Sequence, residues 1–117
     1  MIRVCSTEDV PKGSAIAAMV DGTPLAIVHA PGSDEGAAGD GEFFAVYDQC
    51  SHEAVALSEG DIDGCQLECW LHGSRFDLRT GAPTGLPATR PVPVYPVEIR
   101  DGDVYVSLTP SNGVTAP

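Results

Sequence analysis

The segment CSHEAVALSEGDIDGCQLECWLHGSRFDLRTG, residues 50–81, decides the interpretation of this chain. It contains two short pairs of potential metal ligands, Cys50-Ser-His52 and Cys69-Trp-Leu-His72. Each pair offers one thiolate and one imidazole from a short turn, and these two ligand types suit both iron–sulfur centres and zinc. The four residues are therefore the candidate ligands of one metal centre.

A structural zinc site is the competing interpretation, because zinc accepts two Cys and two His ligands in a tetrahedron. Zinc-finger spacing groups Cys with Cys and His with His, whereas the two types alternate here. Alternation favours an asymmetric two-iron centre with both Cys on one iron and both His on the other, which is the Rieske [2Fe–2S] arrangement. We therefore predict an electron carrier, with a colourless zinc protein as the alternative.

Beyond the ligands, residues 50–81 resemble the Rieske-type ferredoxins of multicomponent aromatic-ring dioxygenases, of the carbazole or biphenyl dioxygenase type. The resemblance continues through YPVEIRDGDVYV, residues 95–106. It implies an all-β Rieske iron–sulfur fold, an antiparallel β-sandwich with a small cluster-binding subdomain near residues 47–82. It also implies one domain, 1–117, that carries single electrons and is not itself an enzyme.

The resemblance further implies a site and partners. The predicted cluster ligands are Cys50, His52, Cys69 and His72, with Ser74 and Trp70 beside the cluster. Electrons would pass from a flavin-containing NAD(P)H ferredoxin reductase to a terminal oxygenase. A small Rieske subunit bound tightly within another oxidoreductase complex is the alternative.

Departures from the wider family predict a low reduction potential. High-potential Rieske proteins have a disulfide between the ligand loops, but the corresponding positions here are Val55 and Leu71. Those proteins also place a Tyr hydroxyl near a cluster Cys, where this chain has Phe76. Hydrogen bonds to cluster sulfurs tune the potential, so we expect a value of about −150 mV, the low end of the Rieske range. Many relatives have Pro at position 70, and Trp70 either shields the cluster, lies at the docking surface or packs the loop.

Composition limits the partners and the compartment. The 117 residues include 6 basic and 17 acidic side chains, for a formal net charge of −11. Nucleic acids and anionic membranes both require a positive surface, so neither is expected as a partner. The N-terminal residues have no apolar core segment, so we expect no signal peptide, and no apolar stretch approaches the length of a membrane span. We expect a cytoplasmic monomer whose acidic surface steers it to basic partners.

Three residues outside the ligand set need an interpretation. Cys5 and Cys65 are predicted to be plain buried thiols, because the cytosol keeps thiols reduced. His29 ends an apolar run and is predicted to be a solvated or capped surface residue. None of the three is assigned a function.

Strand signals dominate the chain, and no segment has helical periodicity over a sufficient length. Asp21-Gly22 and Asp101-Gly102 predict tight hairpins. Residues 7–10 could form a single helical turn, whereas 11–14 and 58–63 are predicted turns. The predicted strands are residues 2–5, 15–20, 25–29, 42–48, 66–68, 75–78, 94–100 and 104–108.

Two loops and the tail complete the prediction. Residues 30–41, APGSDEGAAGDG, are rich in Gly, Ala and acidic residues and predict a solvated insertion. Residues 82–93 contain four prolines, and in the family such a loop lies over the cluster and limits solvent access. The C-terminal segment SNGVTAP, residues 111–117, is predicted to be frayed.

Overall fold

The computed structural model describes residues 1–30, 42–49, 56–63, 66–69, 73–84 and 90–114. In these ranges the regular structure is antiparallel β, with two short 3-10 helices at Thr7–Asp9 and Leu57–Glu59. The all-β prediction is confirmed, and no helix in these ranges is long and apolar enough to span a membrane. The described strands are β1 (Ile2–Ser6), β2 (Ser14–Val20), β3 (Thr23–Ala30), β4 (Glu42–Tyr47), β5 (Asp61–Asp63), β6 (Gln66–Glu68), β7 (Arg75–Asp77), β8 (Val94–Tyr95), β9 (Val97–Arg100) and β10 (Asp103–Val106).

The central sheet, with strand order β2-β3-β4-β8, is covered on both faces. Leu25 and Ile27 of β3 lie in a core shared with the sheet β1-β10-β9. Ala26 and Val28 lie in a second core shared with the sheet β5-β6-β7. A short continuous apolar run is what a strand buried on both faces requires. The small third sheet, β5-β6-β7, therefore packs on the face of the central sheet that is opposite the β1-β10-β9 sheet.

Both Asp-Gly hairpins form as predicted. Asp21 and Gly22 have φ angles of 49° and 82°, and Asp101 and Gly102 have φ angles of 48° and 80°. Positive φ at both central residues is the geometry of a type I′ turn, which matches the twist of the strands it joins. The turns connect β2 to β3 and β9 to β10.

Two predictions of secondary structure, one strand and one turn, are corrected. Residues 94–100 do not form one strand, because Pro96 divides them into β8 of the central sheet and β9 of the β1-β10-β9 sheet. Proline has no N–H to donate to a ladder and its φ is fixed. The sequence predicts a turn at residues 58–63, but the last three form β5, which pairs with β6. This acidic strand has no local sequence signal and depends on its partner.

The C-terminal tail is also corrected over its described part. Ser111 donates its backbone N–H to the Val94 carbonyl at 2.7 Å, so the tail does not fray there. Asn112, which follows it, makes four further hydrogen bonds. Residues 115–117 lie outside the described ranges, as do residues 31–41 of the predicted insertion. Ala30, its predicted first residue, ends β3 and is fully buried.

Cys5 is buried, as predicted, at 8% exposure in the core beneath β10. His29 is half-buried, so its prediction as a surface residue is corrected. Its Nδ1 donates to the Val10 carbonyl at 2.8 Å, and its ring stacks on Phe43 with 4.0 Å between centroids. Cys65 lies outside the described residues.

Candidate metal centre

The second ligand pair begins at the end of a strand hairpin. Strands β6 and β7 pair in the register Leu67↔Phe76 and Glu68↔Arg75. Cys69 continues that register, because its N–H donates to the Ser74 carbonyl at 2.6 Å. The Gly73 N–H in turn donates to the Cys69 carbonyl at 3.0 Å. Cys69 and Gly73, the described residues on either side of positions 70–72, are therefore hydrogen-bonded to each other.

The alternation of this hairpin places Cys69 on its buried face. Leu67, Cys69, Ser74 and Phe76 are all at most 1% exposed, and they alternate with partly exposed neighbours. Side chains two apart in a strand lie on one face of the sheet. Cys69 is a free cysteine within the same apolar core as Phe76. The thiol of Cys69 thus lies on the interior side of the hairpin.

Gly73 follows the predicted ligand His72 and closes the loop. Its φ is +76°, a left-handed conformation that glycine adopts without steric cost. A methyl group at Gly73 would meet no atom within 4 Å. The left-handed conformation, and not a lack of space, therefore favours glycine at this position.

The first ligand loop is closed by a side chain that sequence reasoning missed. Asp48, two residues before Cys50, accepts a hydrogen bond from the Ser58 N–H at 2.7 Å. Its other carboxylate oxygen accepts from the Ser58 hydroxyl at 2.8 Å. Hydrogen bonds to a charged acceptor are among the stronger ones in proteins. Asp48 and Ser58 therefore hold together the two ends of the segment that contains Cys50 and His52, and no local pattern marks this pair.

Gly60 brings the two ligand loops next to each other. A Cβ atom at Gly60 would overlap the carbonyl oxygen of Glu68, the residue before Cys69. Only glycine permits that approach, because real Cβ atoms do not come so close to backbone atoms. The next residues form β5, which pairs with β6 through Asp61↔Glu68. The exit of the first loop is thus fixed against the entry of the second.

The first part of the predicted proline loop runs along β7. Pro83 forms a β-bridge with Phe76, and the Thr84 N–H donates to the Arg75 carbonyl at 2.7 Å. Residues 85–89 lie outside the described ranges. The described start of the loop therefore lies beside the strand that leaves the second ligand loop.

The structure describes two of the six predicted site residues, Cys69 and Ser74. In the described ranges no group of three or more Cys, His, Asp or Glu side chains gathers as a metal site. The other four predicted site residues, Cys50, His52, Trp70 and His72, lie outside those ranges, and their assignments stay predictions. Cys69, a buried thiol at the mouth of a closed loop, fits a thiolate ligand of an iron–sulfur cluster.

Comparisons with known proteins identify the family of this chain. A family model described as the Rieske [2Fe-2S] domain matches residues 1–96. The 3-phenylpropionate/cinnamic acid dioxygenase ferredoxin subunit of Photorhabdus laumondii is 43% identical over 108 residues, covering 91% of this chain and 92% of that protein.

Two solved structures extend the likeness to the fold. One is the complex of reduced oxygenase and oxidized ferredoxin in carbazole 1,9a-dioxygenase, with a TM-score of 0.76, 36% identity, and coverage of 91% of this chain and 100% of the matched chain. The other is the carbazole 1,9a-dioxygenase ferredoxin of Nocardioides aromaticivorans IC177, with a TM-score of 0.79, 33% identity, and coverage of 91% and 95%.

The chain belongs to the Rieske [2Fe–2S] family, and its cofactor is a Rieske cluster. Within that family it is a ferredoxin, an electron carrier rather than a catalyst. The predicted fold, cofactor and ferredoxin function of the aromatic-ring dioxygenase type are confirmed.

Proposed function

We propose that this ferredoxin binds its cluster through Cys50, His52, Cys69 and His72. It then passes single electrons from a flavin-containing reductase to the terminal oxygenase of an aromatic-ring dioxygenase. The observation that carries the ligand assignment is the position of Cys69, a buried thiol at the closed mouth of the second loop. The cluster supplies one-electron redox chemistry, and the chain supplies its ligands, its shielding and its docking surface.

We expect the two thiolate ligands on the interior side of the cluster and the two imidazole ligands on the side of the surface. Cys69 lies on the buried face, so the thiolates bind from the protein side. His52 and His72 would supply neutral imidazole ligands, which suit a ferrous ion better than negatively charged thiolates do. Gly73, the neighbour of His72, is exposed, which supports a docking role for this loop. The proposed contact rim comprises Glu53, Trp70, Leu71, Gly73 and Pro87.

Charge supports a basic partner surface at this end of the molecule. Glu59 and Asp61, on the exit of the first loop, are both exposed. With a net charge of −11, the chain should associate quickly with basic partners at low salt and more slowly as salt screens the attraction. We propose that it acts as a monomer in the cytoplasm, with residues 47–82 as the cluster-binding subdomain.

The substrate class of the oxygenase rests on the relatives. The similar ferredoxins belong to 3-phenylpropionate/cinnamic acid and carbazole dioxygenases. We propose a dioxygenase of an aromatic acid or a fused-ring aromatic compound as the partner. We propose that the oxygenase, and not the ferredoxin, selects the substrate.

The test is electron paramagnetic resonance of the anaerobically purified protein, before and after dithionite. We expect a silent oxidised form and a rhombic reduced spectrum with a low average g value. Cys69→Ser should lose the Rieske signal. Cys5→Ala, which removes a buried thiol from the other core, should keep it. Zinc without iron or sulfide in the purified wild-type protein would replace the electron-carrier proposal with a structural one.

The partner proposal needs a separate assay. Cytochrome c reduction with a ferredoxin reductase, followed by product formation with a dioxygenase, should both require the ferredoxin. Both rates should fall as ionic strength rises. Stable co-purification with a large subunit, without exchange, would instead favour a fixed subunit of another complex.

A further inference from the structure

The side-chain amide of Asn112, in the C-terminal segment, takes part in four hydrogen bonds. Its Nδ2 donates to the carbonyls of Thr80 and Val92, both at 2.8 Å. Its Oδ1 accepts from the N–H groups of Val94 at 3.2 Å and Val114 at 3.3 Å. An amide offers two donor hydrogens and two acceptor lone pairs, so Asn112 is fully satisfied. The four hydrogen bonds therefore fix the orientation of the Asn112 side chain.

These bonds join the two ends of the proline loop, residues 82–93. Thr80 lies just before the loop, and Val92 and Val94 lie at its end. The Val92 N–H also donates to the Gly81 carbonyl at 2.9 Å, so the loop closes where Asn112 binds. The contacts of Asn112 with Thr80, Val92 and Val94 thus form a clasp.

The clasp reaches the metal centre through the core. Val92 and Val94 are 2% and 5% exposed and belong to the apolar core that contains Cys69 and Phe76. Their backbones are held by Asn112, and their side chains lie in the same apolar core as the Cys69 side chain. The clasp therefore holds two residues of the core that contains a proposed ligand.

We propose that Asn112 is a positioning residue of the cluster site. It holds the ends of the proline loop so that Val92 and Val94 keep water away from the Cys69 side of the cluster. The proposal rests on the proposed function. Asn112 lies beyond residues 1–96, the part of the chain that the family model matches.

Opening the clasp should change the redox properties in one direction. Reduction adds one negative charge to the cluster, and water stabilises that charge better than an apolar core does. Entry of water should therefore raise the reduction potential and should speed loss of the cluster in air. Outer-shell partners commonly change metal affinity by 10–100-fold, and we expect about tenfold faster loss, the low end of that range.

Two variants break the clasp in different ways. Asn112→Ala removes its hydrogen bonds. Gly81→Ala leaves Asn112 in place, but its Cβ would overlap the Val92 oxygen and lie 2.6 Å from Asn112 Nδ2. Gly22→Ala is the matched control, because Gly22 also has a positive φ, +82°, but a Cβ there meets no atom within 4 Å. Thr109→Ala controls for substitution in the C-terminal segment.

The experiment measures the midpoint potential and the rate of cluster bleaching in air for each holoprotein, with thermal unfolding alongside. A raised potential and about tenfold faster bleaching in both clasp variants, with wild-type behaviour in both controls, is the expected result. If Asn112→Ala retains no cluster, Asn112→Ser is measured in its place.

Lower thermal stability with an unchanged potential and bleaching rate would overturn the inference, because Asn112 would then be structural only. A change in only one clasp variant would overturn it as well. The proposed function fails separately, and only if the wild-type protein lacks the Rieske spectrum.

Discussion

The central sheet and the β5-β6-β7 sheet, here called the site sheet, differ in the length of their strands and in the contacts that stabilise them. The central sheet has strands of six to eight residues in β2, β3 and β4, and a tight Asp-Gly turn joins β2 to β3. The site sheet, β5-β6-β7, has strands of only three residues each. Its strands have contacts outside the sheet: Gly60, just before β5, packs on Glu68 of β6, and Pro83 and Thr84 of the proline loop pair with β7.

This difference indicates which of the two sheets is less stable on its own. Long strands with apolar faces stabilise themselves by burying surface, whereas strands of three residues bury too little to persist alone. The site sheet therefore depends on specific contacts and on the cluster that joins its loops. Perturbations of the cluster, of the loop contacts and of the other core should affect the two regions differently.

Removal of the cluster should have the largest effect. A metal site couples binding to folding, so the apoprotein should lose amide exchange protection in β5, β6 and β7. The central sheet should keep its protection, because its core with the β1-β10-β9 sheet contains no predicted ligand. Hydrogen exchange of holoprotein and apoprotein measures both regions at once, and equal loss of protection in both sheets would contradict the contrast.

Gly60→Ala should be the most damaging single substitution among the glycine and serine changes that test the loop contacts. Its Cβ would overlap the Glu68 carbonyl, a backbone atom that cannot move without displacing Cys69. We expect a loss of about 3 kcal/mol in the free energy of unfolding, the upper end of usual overpacking costs, together with poor cluster retention.

Gly13→Ala provides the comparison for Gly60→Ala. Gly13 has a φ of +84° but open space around it, so the variant carries backbone strain without overlap. It should cost about 1–2 kcal/mol and keep the cluster. Iron content per chain and denaturant unfolding distinguish the two, and equal iron content would show that the close approach does not matter for the site.

Ser58→Ala should have an intermediate effect. It removes one of the two hydrogen bonds that Asp48 accepts, and such bonds to a charged group contribute about 2 kcal/mol. The loop of Cys50 and His52 should become less ordered, which should broaden the reduced paramagnetic spectrum. Ser14→Ala is the matched control, because the Ser14 hydroxyl bonds the Pro11 carbonyl at an exposed turn. A spectrum unchanged by Ser58→Ala would remove Asp48 and Ser58 from the site.

Alkaline pH should have the smallest effect on stability. It should act on the core that the central sheet shares with the β1-β10-β9 sheet. Burial, with the nearby Asp9 charge second, raises the pKa of the Cys5 thiol above its ordinary 9.0. Burial, with Tyr47 second, raises the pKa of Tyr95 above its ordinary 10.0. The folded protein keeps these protons where the unfolded chain loses them. The stability they contribute is therefore full below pH 9.0 and declines as the pH rises further.

The measurement is the melting temperature from about pH 7 to about pH 11, a range that spans the ordinary pKa values of both groups. The double variant Cys5→Ala and Tyr95→Phe should flatten the alkaline decline, although each substitution also changes packing. If the melting temperature of the double variant declines as much as that of the wild-type protein, groups other than Cys5 and Tyr95 cause the decline. The reduced spectrum of the cluster should not change with these substitutions.

Local chemistry explains which parts of the fold the sequence could predict. The Asp-Gly turns, the apolar run of β3 and the 3-10 turn after β1 all have signals within a few residues. The strand ends agree to within two residues wherever a predicted strand is not divided. Pro96 carries a usable signal against one continuous strand, because proline cannot take part fully in a ladder. The remaining errors concern β5, His29 and the tail, where the contacts come from distant residues.

The sequence by itself determined the family and the cofactor, and it predicts the four ligands, because alternating Cys and His pairs are a chemical pattern that can be read without knowing the fold. It also determined the strand character of β3 and the tight Asp-Gly hairpins. Only the tertiary structure decided that Asp48 meets Ser58, that Gly60 touches Glu68 and that Asn112 closes the proline loop. These contacts join residues up to 32 positions apart, as between Asn112 and Thr80. No short stretch of sequence can specify which partners long-range folding will bring together.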